Sequence, residues 1–201
     1  PEWGFSALTP AAGMLINTTS CETRKVFRKF LERRYTNEAL FKESWGEKAT
    51  FDQIQNGNWK TTPPESALKD LEEFSTQMVE KLFGDLTKAC KVVDSNHLNL
   101  GNRFYTIPPQ WALKGMNSFD VFSINSYNDI IQSQIEHDIV SVVNKPVIIG
   151  EYHFGALDVG LHASGIVRVS NQHDRGRAYR VYIEDAASKP WCVGAHYFLL
   201  Y

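Results

Sequence analysis

The sequence has no run of basic residues, and its formal net charge is only −2. Neither a nucleic-acid footprint nor a basic membrane-surface segment is therefore indicated. Its apolar stretches fall far short of the roughly 20 residues that span a bilayer. Cysteine is scarce: Cys21, Cys90 and Cys192 make an odd three with no CxxC spacing. That pattern reads as isolated thiols rather than a disulfide framework or a zinc site. The glycine motifs that cradle phosphates, GxGxxG and GxxxxGK[ST], are missing. So is any HxH pair on one strand, as a metal-dependent amidohydrolase-like barrel would carry. A secretory leader is also missing, which in a chain opening on Pro1 says nothing of secretion.

What is present suffices for one substantial core: 201 residues, 43% of them hydrophobic. The chain starts on Pro1 and stops in "GAHYFLLY", an apolar run without turn or cap, as expected of a piece of a longer chain. The first half reads as helical. "SCETRKVFRKFLERRY" predicts a helix from Thr19 or Ser20, with Val26, Phe27, Phe30 and Leu31 on its buried face. Shorter helices are expected in "NEALFKESWG" and "TFDQIQNG". Beyond the turn "TTPPES", a long helix is expected from Ser66 to about Ala89, with Leu68, Leu71, Phe74, Met78, Leu82 and Leu86 at 3–4 spacing.

The second half alternates. Strands are predicted at 97–101, 119–125, 146–151 and 191–200, with helices near 109–116, 129–143 and 172–188 between them. Short strands that are apolar on both faces and separated by helices are the mark of parallel βαβ construction. An open doubly wound sheet and part of an eight-stranded barrel both fit, and the missing phosphate fingerprints weigh against the first. Four strands are half of the eight that a barrel needs. The expected fold is therefore α/β, about the second half (strands five to eight) of a (β/α)8 TIM barrel. Residues 1–201 would form the C-terminal half of a single catalytic domain cut at both ends, needing the remaining half of the barrel.

In such folds active sites gather at the C-terminal ends of the strands. "KPVIIGEYHFG" delivers Glu151 there, a carboxylate that follows a buried strand without any polar transition. Such a group is not tolerated in a core without a reason. The other strand ends offer His97, Asn99 and Arg103, then Asn125 and Tyr127, then His153, and finally His196 and Tyr201. Amides, hydroxyls, imidazoles, a guanidinium and rings around a single carboxylate suit a neutral polyhydroxylated ligand. Each has a structural alternative. Glu151 and Arg103 could be an ion pair, His97 and His196 satisfied core histidines, Tyr127 and Trp3 packing residues. The loop "GALDVGLHASG", with Asp158 and His162, is long enough to be functional.

Five segments carry a resemblance. "PVIIGEYHFGALDVG" resembles the strand-seven segment of clan A glycoside hydrolases, most closely the family 50 β-agarases. "NHLNLGNRF", "FDVFSINSYN" and "VGAHYFLLY" resemble strands five, six and eight, and the helical stretch 24–54 resembles the region after strand four. The resemblance implies a retaining β-glycoside hydrolase in polysaccharide degradation, cleaving β-galactosidic bonds in a galactose-containing polysaccharide with Glu151 as nucleophile. It implies an acid/base Glu just before Pro1, so that "PEW" would complete an Asn-Glu-Pro motif and Trp3 would stand near it. It further implies that Tyr127 holds the nucleophile, that His97, Asn99, Arg103, Asn125, His153 and His196 bind sugar, and that Tyr201 floors a subsite. No metal or organic cofactor, no nucleic acid and no membrane partner is expected, and an extracellular or periplasmic location is. With one carboxylate of two, the piece alone is expected to be inactive. A β-galactosidase or other clan A glycosidase, and a non-catalytic sugar-binding or structural barrel fragment, are the alternatives.

Overall fold

The structure is a computed structural model. It describes residues 5, 8–57, 59 and 61–199 in full, and residues 2 and 3 in their backbone only. The backbone divides into two compact units, residues 5–82 and residues 1–4 with 83–201.

The first unit is helical. Helix α1 (Pro10–Asn17) precedes the helix expected first, and its start is written in the sequence. Thr9 caps it by accepting the Ala12 N–H, and Pro10 occupies the first turn, where its missing N–H costs nothing. Helices α2 (Glu22–Arg34), α3 (Glu38–Trp45) and α4 (Phe51–Asn56) follow close to expectation. Helix α5 (Leu68–Val93) runs four residues past its expected end and continues into the second unit. Phe27, Leu31, Phe41, Trp45, Ile54, Leu71 and Phe74 form the core of this unit.

Two expected faces shift. Val26 is exposed, because the buried stripe of α2 runs Arg24–Phe27–Leu31. Leu82 and Leu86 are also exposed, the stripe of α5 passing instead through Val79 and Phe83. Arg24 is fully buried, and among the described residues no acidic side chain is paired with its guanidinium. Its Nε donates to the Ile54 carbonyl (2.6 Å), Nη2 to that of Gln53 (2.7 Å), and Nη1 to those of Leu15 and Thr18. It thus satisfies carbonyls at the C-terminal ends of both α1 and α4, where the helix dipoles favour a cation. Burial lowers its pKa from the ordinary arginine value.

The second unit contains a parallel sheet of strands β1 (Glu2–Trp3), β2 (Arg103–Phe104), β3 (Phe122–Asn125), β4 (Val147–Tyr152) and β5 (Cys192–Tyr197). Each strand lies beside its predecessor, in the order β1-β2-β3-β4-β5. Helix α6 (Gln110–Lys114) lies between β2 and β3 in sequence. A π-helical segment (Ile135–Val140) and α7 (Ser141–Val143) lie between β3 and β4, and α8 (Gln172–Ser188) between β4 and β5. Asn144, at φ 46°, ends α7 in the left-handed conformation just before Lys145-Pro146. Phe104, Phe122, Ile124, Val147, Ile149 and Tyr152 form the apolar core of this unit with Trp111, Leu113, Ile139 and Tyr182 from the connecting helices.

The strand expected at 97–101 lies instead at Arg103–Phe104. The alternating His-Leu-Asn-Leu pattern loses to turn chemistry. Asp94 Oδ1 accepts the N–H groups of Asn96 and His97, and Asn99 Oδ1 accepts that of Gly101. Gly101 takes φ +63° against the Phe119 ring, where a Cβ would come within 2.5 Å of the ring.

Candidate functional site at the end of β4

β4 carries one more residue than either neighbour at its C-terminal end. Ile124 pairs with Ile149 but Asn125 with Glu151, and Ala195 pairs with Ile149 but Tyr197 with Tyr152. Ile149 is fully buried, and Tyr152 stacks on Tyr182 of α8 with centroids 4.2 Å apart. Ile148 and Gly150 belong to the opposite face, where they line a cavity. Strict alternation would send Glu151 to the helix side with Ile149. The bulge turns it to the other face, as bulges beside functional sites commonly do.

There Glu151, only 5% exposed, meets donors from two strands. Arg103 Nη2 of β2 lies 2.9 Å from Oε1. Asn125 Nδ2, at the end of β3, donates to Oε2 at 3.0 Å, and the Tyr127 hydroxyl donates to the same oxygen at 2.5 Å. Charge-assisted bonds of this kind offset the cost of desolvating a carboxylate and fix its orientation. A carboxylate has about four lone-pair positions, so this clamp can leave room for chemistry.

The clamp is itself supported. Ser126 N–H donates to the Glu151 carbonyl (2.9 Å), and the buried Tyr182 hydroxyl donates to the Ser126 carbonyl (2.8 Å). The segment that presents Tyr127 is thereby tied to β4 and α8. Burial pushes the Tyr182 and Tyr152 phenols well above the ordinary tyrosine value, so Tyr182 remains a donor. Gly150 lets Arg103 pass. A Cβ there would lie 2.7 Å from Arg103 Cδ and 2.8 Å from Ser123 Oγ. A cavity of about 210 Å³ adjoins the clamp, lined by Leu100, Gly101, Arg103, Ser123, Ile148, Gly150 and His196. A larger depression of about 310 Å³ over α8, lined by Asp129, Asp174, Arg177, Ala178 and Val181, shares none of these residues.

The expected site residues therefore separate into groups. Arg103, Asn125, Tyr127 and Glu151 converge, and His196 lines the adjoining cavity with Arg103. His153 touches Tyr127 edge-on, centroids 5.3 Å apart, with both ring nitrogens bonded to backbone groups. His97 and Asn99 are not brought to the clamp, because the strand begins after them. His97 is exposed and bonded to Asp94, while Asn99 donates from Nδ2 to Thr87 of α5 and its carbonyl accepts the Asp120 N–H two residues before β3. The Trp3 side chain and Tyr201 lie outside the described residues. Ser123, Gly150 and Tyr182 were not anticipated. A glycine inside an otherwise apolar strand was the available signal for Gly150, since it marks close approach by another group.

Among the described residues no group of three or more His, Cys, Asp or Glu is placed to hold a metal ion, and no helix is long and apolar enough to cross a membrane. Fold and site together define an α/β protein with a donor-clamped carboxylate at the C-terminal edge of a parallel sheet. No protein-family profile matches the sequence. Its similarity is to agarases. Beta-agarase B of Vibrio sp. (strain JT0107) is 31% identical over 92% of this chain, and Beta-agarase A of the same organism 32% identical over 90%. The chain spans only 20% and 19% of those proteins. Among solved structures, the agarase AgWH50C superposes with a TM-score of 0.84 at 28% identity, over 94% of this chain and 27% of that one. An exo-beta-agarase superposes with a TM-score of 0.77 at 31% identity, over 88% and 24%.

Proposed function

We propose that this chain carries the nucleophile side of a retaining β-glycoside hydrolase site that cleaves β-galactosidic bonds in an agarose-type polysaccharide. The observation that carries the reading is the clamp on Glu151: a buried carboxylate held by Arg103, Asn125 and Tyr127 where a parallel strand ends. Similarity to β-agarases over some nine-tenths of the chain supplies the substrate class. In this reading β1 to β5 are strands four to eight of a (β/α)8 barrel. The strand order supports that, since it winds one way without the reversal of a doubly wound sheet.

The Glu151 carboxylate would attack the anomeric carbon while a second carboxyl group protonates the departing glycosidic oxygen. A glycosyl ester forms, and water, deprotonated by the same second group, hydrolyses it. A retaining pair stands about 5–5.5 Å apart. We place the acid/base just before Pro1, a position adjoining β1, which pairs with β2 beside Arg103. Arg103 and His196 would meet sugar hydroxyls at the cavity.

The test is Glu151→Gln in the protein at its natural full length, assayed on agarose and on small β-galactosides. Turnover is expected to fall at least about a thousand-fold, with saccharide binding retained. Undiminished turnover would remove Glu151 from this role, and a preference for small galactosides would make the enzyme a β-galactosidase.

A further inference from the structure

His153 stands two residues past Glu151, and its ring is fully committed. Nε2 accepts the Ile166 N–H at 2.9 Å, so it carries no proton. Nδ1 lies 2.8 Å from the Phe198 carbonyl, which accepts only from an N–H. Together these contacts define one neutral tautomer, protonated on Nδ1. One bond reaches the loop between β4 and α8, and the other reaches the residue that follows β5.

The loop is shaped to receive the ring. Gly165 has φ +74°, and a Cβ there would lie 2.1 Å from Cε1 and 2.3 Å from Nε2 of His153. At Gly155 a Cβ would come within 1.8 Å of the Ser164 carbonyl oxygen. Gly155 also pairs in parallel with Arg168, donating to the Val167 carbonyl and accepting the Val169 N–H. Two glycines and a short parallel bridge thus bring the returning limb of the loop against His153. The ring's remaining side meets Tyr127, whose hydroxyl is on Glu151. Ile166, whose N–H is bound here, is itself 69% exposed.

We propose that His153 is a positioning residue: as the Nδ1-protonated neutral imidazole it clasps the 156–170 loop beside Tyr127 and Glu151. It thereby fixes the apolar loop surface around Ile166 that a saccharide's C–H face meets. The proposal deepens the glycosidase reading and rests on it for the identity of the ligand, but the clasp is a matter of geometry alone. His153 acts through the backbone groups it holds, not on the reacting atoms.

Nitrogen-15 spectroscopy of the histidine rings and amide hydrogen exchange, on the natural full-length protein, test the clasp without any turnover. The wild type is expected to show the Nδ1–H tautomer at His153 and a protected Ile166 amide. His153→Ala is expected to speed exchange at Ile166 about ten-fold. Gly165→Ala, which drives a methyl into the ring from the loop side, should do the same. His153→Gln, with a donor and an acceptor, should restore part of the protection. With agarose oligosaccharides, His153→Ala should raise KM about ten-fold and leave kcat within about three-fold, since what is lost is binding made equally in ground and transition states. A proton on Nε2, or unchanged Ile166 exchange in both variants, overturns the clasp. A collapse of kcat at constant KM overturns the positioning role. Turnover surviving Glu151→Gln would instead sink the glycosidase reading, while tautomer and exchange still decide the clasp.

Discussion

The Tyr127 hydroxyl donates to Oε2 of Glu151 at 2.5 Å, and Asn125 donates to the same oxygen at 3.0 Å. One oxygen of the carboxylate is thus held by neutral donors from the end of β3 and the other by the Arg103 cation. For a nucleophilic carboxylate, the phenol's task is to fix its direction. Tyr127→Phe should therefore cost about a hundred-fold in turnover with little change in melting temperature, measured on agarose and by thermal denaturation. A large fall in stability with normal turnover would make Tyr127 a packing residue.

Gly150 and Arg103 form a second dependency. Gly150→Ala is expected to destabilise by about 1–3 kcal/mol, as overpacking does, and to displace the guanidinium from Glu151. In an Arg103→Ala background the same substitution should cost markedly less, because two of the three atoms it would meet, Cδ and Cγ of Arg103, are gone and only Ser123 Oγ remains. Equal costs by urea denaturation in both backgrounds would show that Gly150 does not serve Arg103.

The helical unit offers a test far from chemistry. Arg24→Met keeps much of the side-chain bulk but abandons carbonyls at the ends of α1 and α4. A loss of about 3 kcal/mol is expected, and Arg24→Lys should recover only part of it. Chemical denaturation followed by circular dichroism reads both.

Acid sensitivity is expected at the start of β3. Asp120 accepts the Asn99 N–H at 2.7 Å and lies 3.0 Å from Lys91 Nζ; the first of these contacts does most to lower its pKa below the ordinary carboxylate value. A depressed folded-state pKa contributes stability that is fully present above the unfolded value, about 4. That stability is lost as pH falls through the lower folded value. Asp120→Asn should flatten the acid limb of the stability profile below about pH 4 and leave the alkaline side unchanged.

Much of this architecture was legible in sequence because its strands and helices differ sharply in pattern. The apolar run that became β4 and the periodic stretch that became α8 lie close to their expected bounds, and β3 starts three residues later than expected. Glu151 was legible for the same reason: a carboxylate straight after Val-Ile-Ile-Gly is out of place unless partners await it. The β2 region misled, since its alternation of apolar and polar residues belongs to a turn built on Asp94, Asn99 and Gly101. That error carried His97 and Asn99 to the wrong end of the strand. The committed state of His153 was hidden for another reason. Its partners are the backbone of Ile166 and Phe198, and backbone groups leave no trace in residue identity.

The extra residue in β4 makes the catalytic proposal a question of parity. Between Ile149 and Tyr152 the strand holds two residues where β5 holds one, so Gly150 and Glu151 both face the clamp while Ile149 and Tyr152 both keep the helix side. Side chains around it can be exchanged one at a time at graded cost. Removing Gly150 would restore plain alternation with Glu151 still on the clamp side, but would take away the side-chain-free position past which Arg103 runs. Among relatives of this chain, the length of that interval should vary less than its composition.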